Sequence, residues 1–149
     1  MLTSGKIKYF GGFKYQLAED WWCLTPIVNQ ACRIDDPDDA ARPWIVLGGD
    51  GKLSIKEGYA WDGPSGPTID TPDFMRGSLA HDALYQLMRD GKLPQETREA
   101  ADNVLNELCK NDGMGWFRRW YVHRALRDFA GFAAKRCDPK PTEAPWSRT

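Results

Sequence analysis

Trp61-Asp62-Gly63-Pro64-Ser65-Gly66-Pro67 is the stretch at which this chain changes character. Glycine opens backbone regions closed to other residues, and proline fixes φ while removing a donor, so two of each in seven residues make a shaped loop. Upstream lie short runs of aromatic and β-branched residues. Downstream the apolar residues recur at helical spacing. A strand-rich half followed by a helical half is an α+β layout.

Working upstream, Trp44-Ile45-Val46-Leu47 and Lys52-Leu53-Ser54-Ile55-Lys56 flank Gly48-Gly49-Asp50-Gly51, the signature of an antiparallel β-hairpin. Lys6–Phe10 and Phe13–Leu17, separated by Gly11-Gly12, predict a second hairpin. Asp35, Asp36, Asp38 and Asp39 belong to an acidic, proline-containing loop over 35–43.

Working downstream, Leu79, Ala83, Leu84, Leu87 and Met88 predict a helix over about 75–90 that stops near Gly91. Pro94 opens a second over about 95–110, with Ala101, Val104, Leu105 and Leu108 on one stripe and Asn111-Asp112-Gly113 as its stop. A third is drawn over about 115–136, on Val122, Ala125, Leu126, Phe129, Phe132 and Ala133. The expectation is one α+β domain over 1–137: strand-rich over 1–60, a shaped loop over 61–72, and three helices over 73–137. A proline-rich tail follows over 138–149.

Composition narrows the function classes. The 149 residues are the size of a single domain, and 20 Lys and Arg against 21 Asp and Glu give a net charge of −1. That balance argues against general attraction to nucleic acid, and no nucleic-acid partner is expected. Cys23, Cys32, Cys109 and Cys137 form no C-x-x-C pair and have no histidine at zinc-finger spacing, so a zinc site is not expected. Free thiols are the default reading, with a Cys23–Cys32 bridge open in an oxidising compartment. The first residues lack the apolar core of a signal peptide, so the chain is expected to be made in the cytoplasm. Trp116, Phe117, Trp120 and Tyr121 beside Arg118 and Arg119 suit either an anionic lipid surface or a partner protein.

The chain has only two histidines, and His81 stands in Ala-His-Asp-Ala-Leu-Tyr inside the first predicted helix. Counting gives it a partner. The helix turn is centred between Gly91 and Lys92, which puts His81 10.5 positions before the centre and Asp102 10.5 after it. Antiparallel helices rising about 1.5 Å per residue bring such a pair to one height. The Asp102 carboxylate can then accept from one imidazole nitrogen and leave the other as a base. Asp82 projects about 100° around the helix from His81 and serves a different direction, toward the 61–67 loop. Loop carbonyls and one carboxylate are hard oxygen ligands suited to calcium. His123 reads as a packing or surface residue, and Ser65 and Ser78 lack the setting of a nucleophile.

His81-Asp82-x-x-Tyr85, a helix turn, then Arg98-x-x-x-Asp102 resembles the helix pair of the secretory phospholipases A2, particularly the bacterial and parvovirus-capsid types. The chain over about 45–133 also resembles a domain-of-unknown-function family of tailed phages and bacteria. The motifs that carry this second likeness are Asp62-Gly63-Pro64-Ser65-Gly66-Pro67, His81 to Tyr85, and Arg98-x-x-x-Asp102. The resemblance implies a phospholipase A2-like helical region. It implies His81 as the water-activating base, Asp102 as its orienting partner and Tyr85 as a hydroxyl steadying the pair. It also implies a calcium ion at Asp82, with backbone groups around Asp62, Gly63 and Gly66 completing its site or an oxyanion hole. The loop departs from the phospholipase pattern in holding fewer glycines, and Leu84 stands where the disulfide-forming cysteine is usual.

Three functions are thus expected, in order. The first is a virion-associated, calcium-dependent lipid esterase whose partner is a phospholipid membrane. The second is a non-enzymatic tail or adaptor protein contacting other virion proteins. The third is a cell-wall hydrolase, which the shortage of zinc-spaced histidines disfavours.

Overall fold

The computed structural model describes residues 9–10, 15–61, 72–115 and 119. Its strands are β1 (Tyr9–Phe10), β2 (Tyr15–Leu17), β3 (Trp21–Leu24), β4 (Cys32–Ile34), β5 (Ile45–Leu47), β6 (Lys52–Ile55) and β7 (Ala60–Trp61). Two helices follow, α1 (Pro72–Arg89) and α2 (Arg98–Asn111), with a 3-10 turn over Gln95–Thr97 between them. The strands form two antiparallel sheets, in the orders β1-β2-β7 and β3-β6-β5-β4.

The larger sheet is built around the Gly48–Gly51 connection. Leu47 pairs with Leu53 across β5 and β6, and Gly51 turns the chain at φ +86°. A Cβ on Gly51 would stand 2.4 Å from the Thr25 carbonyl oxygen, so both the conformation and the space demand glycine. Thr25 ties the end of β3 to the same turn, its hydroxyl donating to the Gly51 carbonyl at 2.9 Å.

Strand registers place Cys23, Leu53, Leu47 and Cys32 in one cross-strand row and Trp21, Ile55, Ile45 and Ile34 in the next. These rows make the apolar inner face, which joins Leu79, Ala83, Leu84, Leu87 and Met88 of α1 in a single core. Strand periodicity of two thus meets helix periodicity of 3.6 on one surface. The same register rules out a Cys23–Cys32 bridge. The two residues lie three strand spacings apart, about 14 Å, where a disulfide needs Cα atoms within about 7 Å. Both are free thiols.

Each helix ends as its sequence dictates. At the end of α1, Gly91 adopts φ +70°, and Lys92 N–H reaches back to the Leu87 carbonyl at 2.9 Å. At the end of α2, Gly113 adopts φ +91°, and Met114 N–H donates to the Cys109 carbonyl at 3.0 Å. Both are glycine-dependent C-terminal turns that satisfy otherwise unpaired carbonyls.

The N-terminal strands fit the sequence reading; the three-helix region does not. The described residues hold two α-helices, and this corrects the three-helix, phospholipase A2-like arrangement. Helix α2 ends at the Gly113 turn, beyond which Met114 packs into a buried cluster with Phe74, Leu105 and Cys109, so the described helical region closes with that pair. The positions assigned to a third helix beyond residue 115 lie outside the described residues, Arg119 excepted, as do His123 and the 138–149 tail. Helix α1 also begins at Pro72, ahead of the predicted 75.

Candidate functional site

The site is made where α1 and α2 come closest. Gly77, His81 and Tyr85 recur every four residues and form one ridge of α1. Gly77 is the contact point: a Cβ there would stand 2.8 Å from Cys109 Sγ and 3.1 Å from the Leu105 carbonyl oxygen. Arg76 fastens the far end through a bidentate ion pair with Asp112, the residue capping α2. Trp61 and Tyr59 anchor α1 from the sheet side, their polar atoms meeting Ser78 Oγ at 3.1 Å and Gln86 Oε1 at 2.8 Å. Ser78 also donates to the Met75 carbonyl, so its hydroxyl is a packing element.

Between these clamps His81 Nε2 and Asp102 Oδ1 stand 2.8 Å apart. Tyr85 donates its hydroxyl to the same Asp102 oxygen at 2.7 Å. The Tyr85 ring lies against the imidazole with centroids 4.0 Å apart. An ionised carboxylate only accepts, so Nε2 carries the proton and Nδ1 is the nitrogen left to give or take one. Asp82 Oδ1 is 3.9 Å from Nδ1, beyond hydrogen-bond range, and acts on it through charge.

The group is deeply placed, with His81 6% exposed, Asp102 1% and Tyr85 2%. Burial alone would push the His81 pKa down. The hydrogen bond to Asp102 and the negative charges of Asp82 and Asp102 outweigh it, and the net direction is up. Burial pushes the Tyr85 phenol up, and its bond to Asp102 adds to this, so the hydroxyl stays protonated and can only donate to the carboxylate.

His81, Asp102, Tyr85 and Asp82 are therefore brought together, the first three by direct hydrogen bonds. Asp62, Gly63 and Gly66 lie outside the described residues. Among the described residues no group of three or more His, Cys, Asp or Glu side chains is placed to hold a metal. Calcium takes six to eight oxygens, and Asp82 supplies one carboxylate. These residues alone do not make a calcium site.

Sequence reasoning missed the Arg76–Asp112 clamp and the role of Gly77. Arg76 and Asp112 lie 36 residues apart, a separation with no periodic signal. Gly77, a glycine inside a helix, was the available sign of close packing. The acidic knot is structural: Lys56 Nζ donates to Asp36 Oδ2 at 2.6 Å and Asp39 Oδ2 at 3.0 Å. Burial opposes ionisation of Asp36, but the Lys56 contact prevails and holds its carboxyl below the ordinary range. No described helix is long and apolar enough to cross a membrane. No family model, no curated protein and no solved structure matches this chain.

Proposed function

We propose that this protein is a hydrolase that activates water at His81 Nδ1 to cleave an ester. The observation that carries the reading is the shared oxygen of Asp102, which holds both the imidazole and the Tyr85 hydroxyl and leaves one ring nitrogen for chemistry. Nδ1 takes a proton from water as the oxygen adds to the ester carbonyl. Asp102 stabilises the imidazolium so formed. Collapse of the tetrahedral intermediate breaks the bond to the alcohol oxygen, which takes the proton back from Nδ1. Products are a carboxylic acid and an alcohol. Tyr85 and Asp102 act by fixing the ring.

The resemblance in His81-Asp82-x-x-Tyr85 supports a lipid acyl ester as substrate, calcium as the ion at Asp82 and a virion as the setting. The test is fatty-acid release from mixed phospholipid vesicles, with calcium and with chelator. Release by the wild type that disappears in His81→Gln supports the proposal, and its loss with chelator assigns the calcium. A folded wild type that releases nothing across several headgroups overturns it.

The second reading, a non-enzymatic virion component, draws on the near-complete burial of His81 and on one surface feature. From Trp21 to Val28 burial alternates residue by residue, and the outward positions are Trp22, Leu24, Pro26 and Val28. Trp22 at 41%, Leu24 at 38% and Val28 at 49% are the large exposed hydrophobics of the described residues. An apolar stripe that runs from β3 into the segment after it suits contact with another protein.

A further inference from the structure

The larger sheet has two edge strands, and the sequence treats them differently. β4 turns Arg33 outward, where it meets Asp35 at 2.9 Å. A charge on an edge strand resists the addition of a further strand. β3, at the other edge, turns Trp22 and Leu24 outward and carries no charge.

The register fixes which backbone groups of β3 are free. Thr25 N–H donates to the Gly51 carbonyl at 2.9 Å, and antiparallel bonding alternates along a strand. Trp21, Cys23 and Thr25 therefore bond inward to β6, while the N–H and C=O of Trp22 and Leu24 point away from the sheet. Among the described residues, β1 borders this part of the chain only at Gln16 and Leu17, ahead of β3. Pro26 takes the next outward position and has no N–H to offer, so the open edge ends there.

Such an edge is complementary to itself. Antiparallel pairing about a two-fold axis at Cys23 sets Trp22 opposite Leu24 of a second copy, and Leu24 opposite that copy's Trp22. All four are outward residues, so each pair exchanges two backbone hydrogen bonds. The same pairs bring an indole against a leucine side chain on the outer face. Asp20, which holds Arg42 and the Glu57 N–H, stays out of the pairing.

We propose that β3 is a self-association edge, through which two copies of this chain join their four-stranded sheets into one of eight strands. Antiparallel edge pairing keeps like faces together, so both α1–α2 pairs, and both His81 groups, lie on one side of the joined sheet. Two four-residue edges bury less than the about 1,200–2,000 Å² of a stable interface, so the pairing is weak and reversible. It takes up the surface on which the non-enzymatic reading draws and does not depend on hydrolysis at His81.

The test is sedimentation velocity of the full chain from about 5 to about 500 µM, a span suited to weak interfaces. Backbone hydrogen exchange is followed by NMR at both ends of that range. Wild type is expected to pass from monomer to dimer, with the Trp22 and Leu24 amides exchanging about 5-fold more slowly at the upper end. The Cys23 amide, bonded to β6, is expected to be protected throughout. Leu24→Pro removes an N–H that β6 does not use. Leu24→Glu keeps the backbone, faces Lys52 on β6 and puts a charge on the edge. Both are expected to stay monomeric at the upper concentration, with the fold checked by circular dichroism; Leu24→Glu decides if proline disturbs β3.

A wild type that is monomeric throughout overturns the proposal, as does a dimer that persists in folded Leu24→Glu. Protection of the Trp22 and Leu24 amides at every concentration means that the edge is covered from within the chain, and also overturns it. Capture of a different protein by a monomeric wild type overturns self-pairing and leaves the non-enzymatic reading standing.

Discussion

His81 and Asp102, 21 residues apart in sequence, meet across two antiparallel helices with Nε2 and Oδ1 at 2.8 Å, both buried. Tyr85 completes the arrangement from one turn further along α1, through the same oxygen. Removing Asp102 therefore strands two buried polar groups, while removing the Tyr85 hydroxyl strands none. Tyr85→Phe should cost about 1–2 kcal/mol and Asp102→Ala about 3 kcal/mol or more. Urea denaturation of the two variants beside wild type checks the order; equal losses would mean that the carboxylate is not the hub.

The pH response follows from the upward direction of the His81 pKa from its ordinary 6.5. A folded pKa above the unfolded one means that the protonated ring stabilises the fold. That contribution is complete below about pH 6.5. It is lost as pH rises through the folded pKa. The stability gap between wild type and His81→Gln should therefore narrow on going from pH 6 toward alkaline conditions, measured in chelator. Hydrolysis needs Nδ1 unprotonated, so its rising limb should lie above that of an ordinary histidine. A gap that widens with pH would contradict the paired imidazole.

At Gly77 the helix preference and the packing oppose each other. Alanine favours a helix over glycine by about 1 kcal/mol. Yet its Cβ would press on Cys109 Sγ and, at 3.1 Å, on the Leu105 carbonyl. Gly77→Ala should be net destabilising by about 1–3 kcal/mol. Adding Cys109→Ala should restore only part, because the backbone carbonyl stays in place. Thermal unfolding of the single and double variants decides it.

The described cysteines should differ in reactivity. Burial pushes the Cys23 thiol up to about 12. Cys32 is half-buried and raised from its ordinary value by a smaller burial effect, which Lys92 opposes. Timed alkylation with mass spectrometry should label Cys32 well before Cys23. Mild oxidation should produce no Cys23–Cys32 bridge, given their places on opposite edge strands.

Much of the site was legible in the chain because it is written in local periodicity. His81 and Tyr85 are one helical turn apart, and Gly91 marks the hairpin centre, so counting along two helices brought Asp102 to His81. The same counting could not choose between His81 Nδ1 and Nε2, since the tautomer depends on which nitrogen faces α2. The apolar stripe that predicts a third helix, over 122–133, lies outside the described residues, whose helical region ends at the Gly113 turn with Met114 packed against the helix pair.

The sequence by itself determined the α+β character, the Gly48–Gly51 hairpin, the helix turn at Gly91 and the pairing of His81 with Asp102. Each follows from side-chain spacing or from a backbone conformation that few residues can adopt. Only the tertiary structure decided that Tyr85 and His81 share one carboxylate oxygen, that Arg76 closes on Asp112, and that Cys23 and Cys32 stand on opposite edges of a sheet. Those relations depend on sheet order and on how closely two helices approach. Both are set by packing between elements distant in the chain, on which local spacing carries no information.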